Sequence, residues 1–86
     1  MKLYYVIEEN VSKDPTHKGK KYIRHGGYVY EYGDFREENG YKDFHKAELE
    51  HIKCVKRGKK ALSLSSVNKC EFYIILIKPT KTSKNT

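Results

Sequence analysis

Hydrophobic and polar residues alternate most clearly in two short runs on either side of a pair of glycines. The two runs and the glycine pair are Lys21–His25, Tyr28–Tyr32 and Gly26-Gly27. Alternation with a period of two is typical of a β-strand. A two-glycine connection favours a tight hairpin, because the primed turns need positive φ at their loop residues. The pattern therefore predicts a β-hairpin whose second strand places its three tyrosines on one face.

Three more segments have the pattern of strands. Met1–Glu9 alternates along its length, and Ala61–Val67 alternates at its two leucines. Phe72–Ile77 is continuously apolar, which is typical of a strand at the centre of a sheet with both faces covered. Asn39-Gly40 is a second candidate for a hairpin turn. The chain is therefore expected to be rich in antiparallel β-structure.

The segment 43–57 is compatible with two structures. As a helix, it would begin after Asp43, an acceptable N-cap, and end at Gly58. Its apolar stripe would consist of Phe44, Ala47, His51, Ile52 and Val55. As β-structure, two short strands would be joined by a turn. Leu49 favours the turn, because it lies about 140° from Phe44 on a helical wheel.

The string Phe44–Ile52, which contains an ELxxI pattern, resembles the end of SH3-like small β-barrel modules, where a strand runs into a short turn before the next strand. With the glycine hairpin, the resemblance covers residues 20–55 and implies a barrel, but it brings no functional residues. We therefore expect a β-rich small single domain over residues 1–78. It would be an antiparallel five- or six-stranded bent sheet or an SH3-like barrel. The α+β variant would add one short helix near 43–55, and residues 79–86 would form a flexible basic tail.

Composition narrows the class of protein. The chain has 86 residues, 37% hydrophobic and 34% charged, and its longest apolar run is only strand-sized. The N-terminus lacks the pattern of a signal peptide, so a cytoplasmic protein that does not associate with membranes is expected. The two cysteines, Cys54 and Cys70, are expected to be reduced and partly buried, although one disulfide stays open as an alternative.

The net charge of +7 is spread unevenly along the chain. Residues 1–30 carry six basic and three acidic groups, whereas residues 31–50 carry three basic and seven acidic groups. Residues 51–86 carry nine basic groups and one acidic group. An acidic middle segment would repel phosphate, so the pattern predicts either a one-sided nucleic-acid surface or a protein partner with complementary charge.

Two surfaces are candidates for nucleic-acid binding. In the first, the hairpin tyrosines would stack on bases while nearby cations contact phosphates. Its residues are Lys20, Lys21, Arg24, Tyr28, Tyr30 and Tyr32. In the second, a basic turn would bind phosphates through Lys53, Lys56, Arg57, Lys59 and Lys60. The alternatives are that the tyrosines form the core and that the basic turn only confers solubility.

Metal binding and catalysis find little support. His45, His51, Cys54 and Cys70 include one His-x-x-Cys step but no second close-spaced pair, so neither a metal nor a cofactor is expected. No phosphate-binding glycine loop or nucleophile motif is present in the sequence. The predicted function is non-catalytic nucleic-acid binding, to DNA or RNA. The alternative is a small phage or mobile-element protein that binds and inhibits a host protein, using Asp34, Glu37 and Glu38 as acidic contacts. The sequence leaves the oligomeric state open.

Overall fold

A computed structural model describes residues 1–12, 15–64 and 69–79, with the backbone alone for residues 60–64. Its elements in chain order are β1 (Leu3–Asn10), β2 (Lys21–His25), β3 (Tyr28–Glu31), a 3₁₀ turn (Glu37–Asn39), α1 (Phe44–Leu64) and β4 (Cys70–Ile77). The strands form one antiparallel sheet in the order β3-β2-β1-β4. α1 packs on one face of this sheet, and the segment around Phe35 packs on the other.

The predicted glycine hairpin is confirmed. Gly26 and Gly27 have φ values of 56° and 87°, and the two strands pair from His25–Tyr28 onward. Positive φ at both loop residues is what a two-residue primed turn requires. The alternation of β1 is confirmed too, since Leu3, Tyr5 and Ile7 are buried on one face and Val6 on the other.

The central position predicted for Phe72–Ile77 is wrong. This strand, β4, pairs only with β1 and lies at an edge of the sheet. Its two faces are nevertheless both covered, because Tyr73 and Ile75 pack in one core cluster and Phe72 and Ile74 pack in the other. The continuous apolar run therefore reflects contact on both faces rather than two neighbouring strands. His51 Nε2 donates a hydrogen bond to the Phe72 carbonyl at 2.8 Å, which satisfies a backbone group of this edge strand.

The helical alternative for the segment after Asp43 is confirmed, but the helix is longer than predicted. His45 N–H donates to Asp43 Oδ1 at 3.0 Å, as expected for an N-cap. The helix then continues through Gly58 to Leu64, so the predicted basic turn is helical. The predicted strand Ala61–Val67 is wrong for residues 61–64, and its remainder lies outside the described residues.

Gly58 does not end the helix, because it serves a packing role there. A Cβ at Gly58 would lie 3.0 Å from Phe72 Cε2, so the missing side chain lets the Phe72 ring approach α1 closely. The predicted apolar stripe is also displaced. Ala47 and Cys54 are buried, whereas Phe44 and Ile52 are exposed.

The sheet has four strands rather than five or six, and it does not close into a barrel, since β3 and β4 form its two edges. The fold is small and β-rich, with one helix among the described residues. Apart from Pro79, the predicted tail 79–86 lies outside those residues. Nowhere in the ranges 1–12, 15–64 and 69–79 is a helix both long and apolar enough to span a bilayer.

Asn39-Gly40 is not a hairpin turn. Residues Glu37–Asn39 form the 3₁₀ turn, and Tyr41 then pairs with Tyr4 through two backbone hydrogen bonds of 2.8 Å. A Cβ at Gly40 would lie 2.9 Å from the Tyr5 ring. The glycine is thus required by close packing on the core rather than by a turn.

Tyr73 should make stability sensitive to alkaline pH. Its hydroxyl donates to Glu9 Oε1 at 2.9 Å, and burial, followed by this hydrogen bond and the charge of Glu9, raises the pKa of Tyr73 from 10.0 to about 12. Because the folded state favours the protonated phenol, this contribution is complete below pH 10 and is lost as pH rises through about 12. Urea unfolding at a series of pH values should show this loss.

Tyr73→Phe is the matched control for that loss. Without the phenol, the decrease in the free energy of unfolding between about pH 10 and 12 should be smaller than in the wild type. An equally steep decrease in both proteins would show that Tyr73 contributes nothing to it. Tyr5 and Tyr41, whose pKa values are also raised by burial, would then be the groups to test.

Candidate functional site

The outer surface of α1 carries a row of cations. Lys46, Lys53, Lys56 and Arg57 all have exposed side chains. At 100° per residue, Lys46, Lys53 and Arg57 fall within about 40° of one another, and Lys56 extends the arc to about 100°. They therefore lie along one side of the helix, and the exposed Leu49 falls within the same arc. We call these four cations the basic row. Lys59 is exposed farther round the helix, and the side chain of Lys60 lies outside the described residues.

The cations of the basic row are available to a partner. Among the described side chains, the ion pairs join Arg24 to Glu8 at 3.3 Å and Arg36 to Asp34 at 2.7 Å, and His45 lies 3.5 Å from Glu48. None of these pairs includes a member of the row. The row can therefore offer its full charge to a polyanion without first breaking an internal ion pair.

A cavity of about 220 Å³ lies between α1 and the sheet, beside the basic row. Its walls come from β1, β2, α1 and β4, and they consist of Glu8, Arg24, Cys54, Arg57, Gly58, Cys70 and Phe72. We call this space the thiol–arginine cavity. Arg57 belongs both to its wall and to the basic row, so the two features are continuous.

A mostly buried ion pair forms part of the wall of the cavity. The side chains of Arg24 and Glu8 are only 13% and 20% exposed, and Cys70 Sγ lies 3.7 Å from Glu8 Oε2. Among the described residues, Arg24 Nε has no hydrogen-bond partner. The cavity thus contains a fixed acceptor, a fixed donor group and unused donor capacity.

The two cysteines are free, as predicted, with Cys54 buried and Cys70 half-buried. Burial, followed by the charge of Glu50, raises the pKa of Cys54, and Arg24 and Arg57 only partly oppose this. Burial, followed by the charge of Glu8, raises the pKa of Cys70. Both thiols therefore remain protonated at neutral pH, so they contribute neutral surface to the cavity rather than a reactive thiolate.

His45, His51, Cys54 and Cys70 are not gathered at one point of the structure. His45 is exposed beside Glu48, and His51 is bonded to the Phe72 carbonyl, while the cysteines line the cavity. Within the described ranges, no three His, Cys, Asp or Glu side chains are grouped so that they could hold a metal ion.

The hairpin residues do not form one open stacking platform. Tyr28 is 71% exposed, but Tyr30 packs against the core, and the ring of Tyr32 meets Phe35 edge-on at 5.3 Å. Lys21 Nζ lies 5.1 Å from the Tyr32 ring centroid, so one face of that ring is already engaged in a cation–π contact.

Arg24 is separated from the tyrosines with which the sequence grouped it. It lines the cavity on the α1 side of the sheet, whereas Tyr30 packs on the opposite side. Lys20 is exposed just before β2. The first predicted surface is therefore divided between the two faces of the sheet.

The acidic residues lie in the layer opposite α1. Asp34 accepts two hydrogen bonds from Arg36, which lower the pKa of Asp34, while Glu37 and Glu38 are exposed. Phe35 anchors this segment to the core cluster on the face away from α1. The basic row and the exposed carboxylates Glu37 and Glu38 thus lie on opposite sides of the sheet.

Sequence reasoning missed part of the site. Lys46 was not considered, although the spacings 46, 53 and 57 would have aligned it with the basic row once a helix was assumed. Glu8, Cys70 and Phe72 carry no local signal, because four elements must meet to form the cavity.

Compared with models of protein families, with curated proteins and with solved structures, the chain matches none. The site is therefore interpreted from its own geometry.

Proposed function

We propose that this protein is a non-catalytic nucleic-acid-binding protein that places α1 along a phosphate backbone. The observation that carries the proposal is the basic row, in which four exposed cations lie on one side of a helix outside the internal ion pairs described above. Helical geometry holds these charges at fixed spacing. A flexible turn with the same composition would have to be ordered on binding.

The length of the row suits a nucleic-acid strand. Lys46 and Arg57 are 11 residues apart in α1, which corresponds to about 16 Å along the helix. Along the axis of a duplex, each strand presents a phosphate about every 3.4 Å, so the row is about as long as five base-pair steps measured along that axis. The acidic layer with Glu37 and Glu38 lies on the far side of the sheet and would favour one binding orientation.

Neutralising the row should weaken the salt dependence of binding. In the triple variant Lys46→Gln, Lys53→Gln, Lys56→Gln, up to three phosphate contacts are lost. Each contact contributes about 0.7 to the slope of log K against log salt concentration on a single strand, so the slope should become shallower by about 2. Fluorescence anisotropy with a labelled oligonucleotide at several salt concentrations measures it.

A triple variant elsewhere on the surface distinguishes the loss of phosphate contacts by the basic row from a mere loss of net charge. Lys2, Lys18 and Lys78 are exposed and lie outside α1, so changing all three to glutamine removes the same charge. This control should keep nearly the wild-type slope. Equal loss of slope in both variants would disprove a role for the helix, and a flat slope in the wild type would disprove nucleic-acid binding altogether.

The second candidate function is binding and inhibition of a host protein, as expected of a phage or mobile-element product. The observation that favours it is the exposure of Leu49 and Ile52 on α1, 46% and 43% respectively, at a spacing at which their side chains are neighbours. Such apolar residues suit a protein interface better than a phosphate backbone.

Two results distinguish these functions. A bound protein that persists stoichiometrically after nuclease treatment of a lysate favours the second function, and material lost with nuclease favours the first. Glu37→Lys with Glu38→Lys should leave nucleic-acid affinity unchanged or increase it. The same change should slow association with a protein whose basic surface contacts these carboxylates.

A further inference from the structure

We propose that the thiol–arginine cavity binds one unpaired base of the nucleic acid that α1 contacts, and that it prefers bases with an exocyclic amino group. This inference rests on the proposed function and adds a recognition site to it. The preference would be for adenine, cytosine or guanine over uracil or thymine.

The size of the cavity suits a single base. Its volume is about 220 Å³, compared with about 150 Å³ for an engineered protein cavity that binds benzene. There is room for one planar ring system. A duplex would have to release a base to use the cavity, so single strands should bind better.

The wall offers groups for stacking. The Phe72 ring contributes an aromatic surface, and the guanidinium groups of Arg24 and Arg57 are planar cations of the kind that stack on bases. At Gly58 the Phe72 ring lies close against α1, which fixes the position of the ring beside the cavity. The protonated thiols add neutral surface that requires no compensating charge.

The wall also offers complementary hydrogen-bonding groups. Glu8 is a carboxylate acceptor held by Arg24, and carboxylates accept hydrogen bonds from exocyclic amines such as cytosine N4. The Arg24 guanidinium has five N–H donors. One of its terminal nitrogens lies 3.3 Å from Glu8 Oε1, and its Nε has no hydrogen-bond partner among the described residues. Uracil and thymine lack the amine that Glu8 would accept, which is the basis of the proposed preference.

The cavity adjoins the basic row, so a base in the cavity and its phosphate near the row could belong to one nucleotide. Arg57 lies in both, and Lys53 and Lys56 are within one turn of it on α1. A nucleotide whose base enters the cavity would keep its phosphate near these cations. Backbone contacts would then supply affinity, and the cavity would supply discrimination.

The test uses the full chain and two measurements. In NMR titrations of the wild type, cytidine 5′-monophosphate should shift the amide signals of Cys70 and Phe72, whereas ribose 5-phosphate and inorganic phosphate should not. In anisotropy measurements, Cys70→Phe, which places a ring in the cavity, should weaken single-strand binding roughly tenfold, the value of one stacked base. The same variant should leave duplex binding and its salt slope unchanged.

Leu76→Phe is the matched control, because it places a ring on the same strand at an exposed position outside the cavity. It should bind single strands like the wild type. If ribose 5-phosphate and cytidine 5′-monophosphate produce the same shifts, or if Cys70→Phe binds single strands normally, the base site is wrong. The lysine-dependent salt slope would still stand in that case, whereas a flat slope would remove the proposed function itself. Uridine 5′-monophosphate binding as tightly as the cytidine nucleotide would overturn the role of Glu8.

Discussion

Replacing Tyr5 with alanine should lower the free energy of unfolding by about 3–5 kcal/mol, the usual cost of deleting a fully buried aromatic ring. Tyr5 is completely buried at the centre of the core cluster that faces away from α1. Its hydroxyl lies within hydrogen-bonding distance of the Phe35 and Arg36 carbonyls, at 2.9 and 3.0 Å, and its ring meets Phe35 edge-on. Since small domains are stable by about 5–15 kcal/mol, this variant should be close to unfolding. Urea titration followed by circular dichroism measures the loss.

Tyr5→Phe distinguishes the contribution of the ring to the free energy of unfolding from that of the hydroxyl. The ring and its packing remain, but the two carbonyls lose their shared donor, so the cost should be about 1–2 kcal/mol. Amide exchange should accelerate first in the segment around Phe35 and Arg36, whose carbonyls lose this donor. The nucleic-acid binding proposed for α1 should not change, because α1 lies on the opposite face of the sheet. If Tyr5→Ala cost less than 1 kcal/mol, Tyr5 would not be the centre of this cluster.

The parts of the fold that could be predicted from sequence are those fixed by local chemistry. Gly26 and Gly27 adopt positive φ in a two-residue turn, so a dipeptide identifies the hairpin. The alternation of β1 reports directly which side chains share a face. Asp43 likewise identifies the start of α1, because its side chain satisfies a free backbone N–H.

The errors arise where a tertiary contact overrides a local preference. Gly58 is a plausible helix terminator, but the close approach of the Phe72 ring favours a residue without a side chain inside the helix. Leu49 argued against a helix because it falls off the apolar stripe, and it is in fact exposed on α1. The sequence of a strand also does not show its position in the sheet, because β4 is covered on both faces although it lies at the edge.

The candidate site was predictable only in part. Lys53, Lys56 and Arg57 stand out as a cluster in the sequence, whatever structure carries them. Their alignment with Lys46 depends on the helix, and the cavity depends on the packing of four elements. Charge patterns along a chain thus indicate a class of partner, but the shape of the surface follows only from the fold.

Replacing Arg24 with methionine should lower the free energy of unfolding by about 2–4 kcal/mol. Removing one member of a fully buried ion pair costs about 3–5 kcal/mol, because the remaining charge is left without compensation. Arg24 and Glu8 are 13% and 20% exposed, so water would partly compensate Glu8 and the expected cost is somewhat lower. Arg57 also lines the cavity but is itself exposed, so it would offset the loss only weakly.

A double-mutant cycle with Glu8→Leu tests this directly. Because exchanging both charges for apolar groups removes the desolvation cost as well as the attraction, Arg24→Met with Glu8→Leu should be more stable than the sum of the single changes predicts. Additive effects would contradict a coupled pair. The double variant has a further use, since it would keep the basic row while removing the fixed donor and acceptor of the cavity. It should therefore retain the salt-dependent binding of duplexes and lose the preference for bases with an exocyclic amine, which connects the stability of the fold to the discrimination proposed for the site.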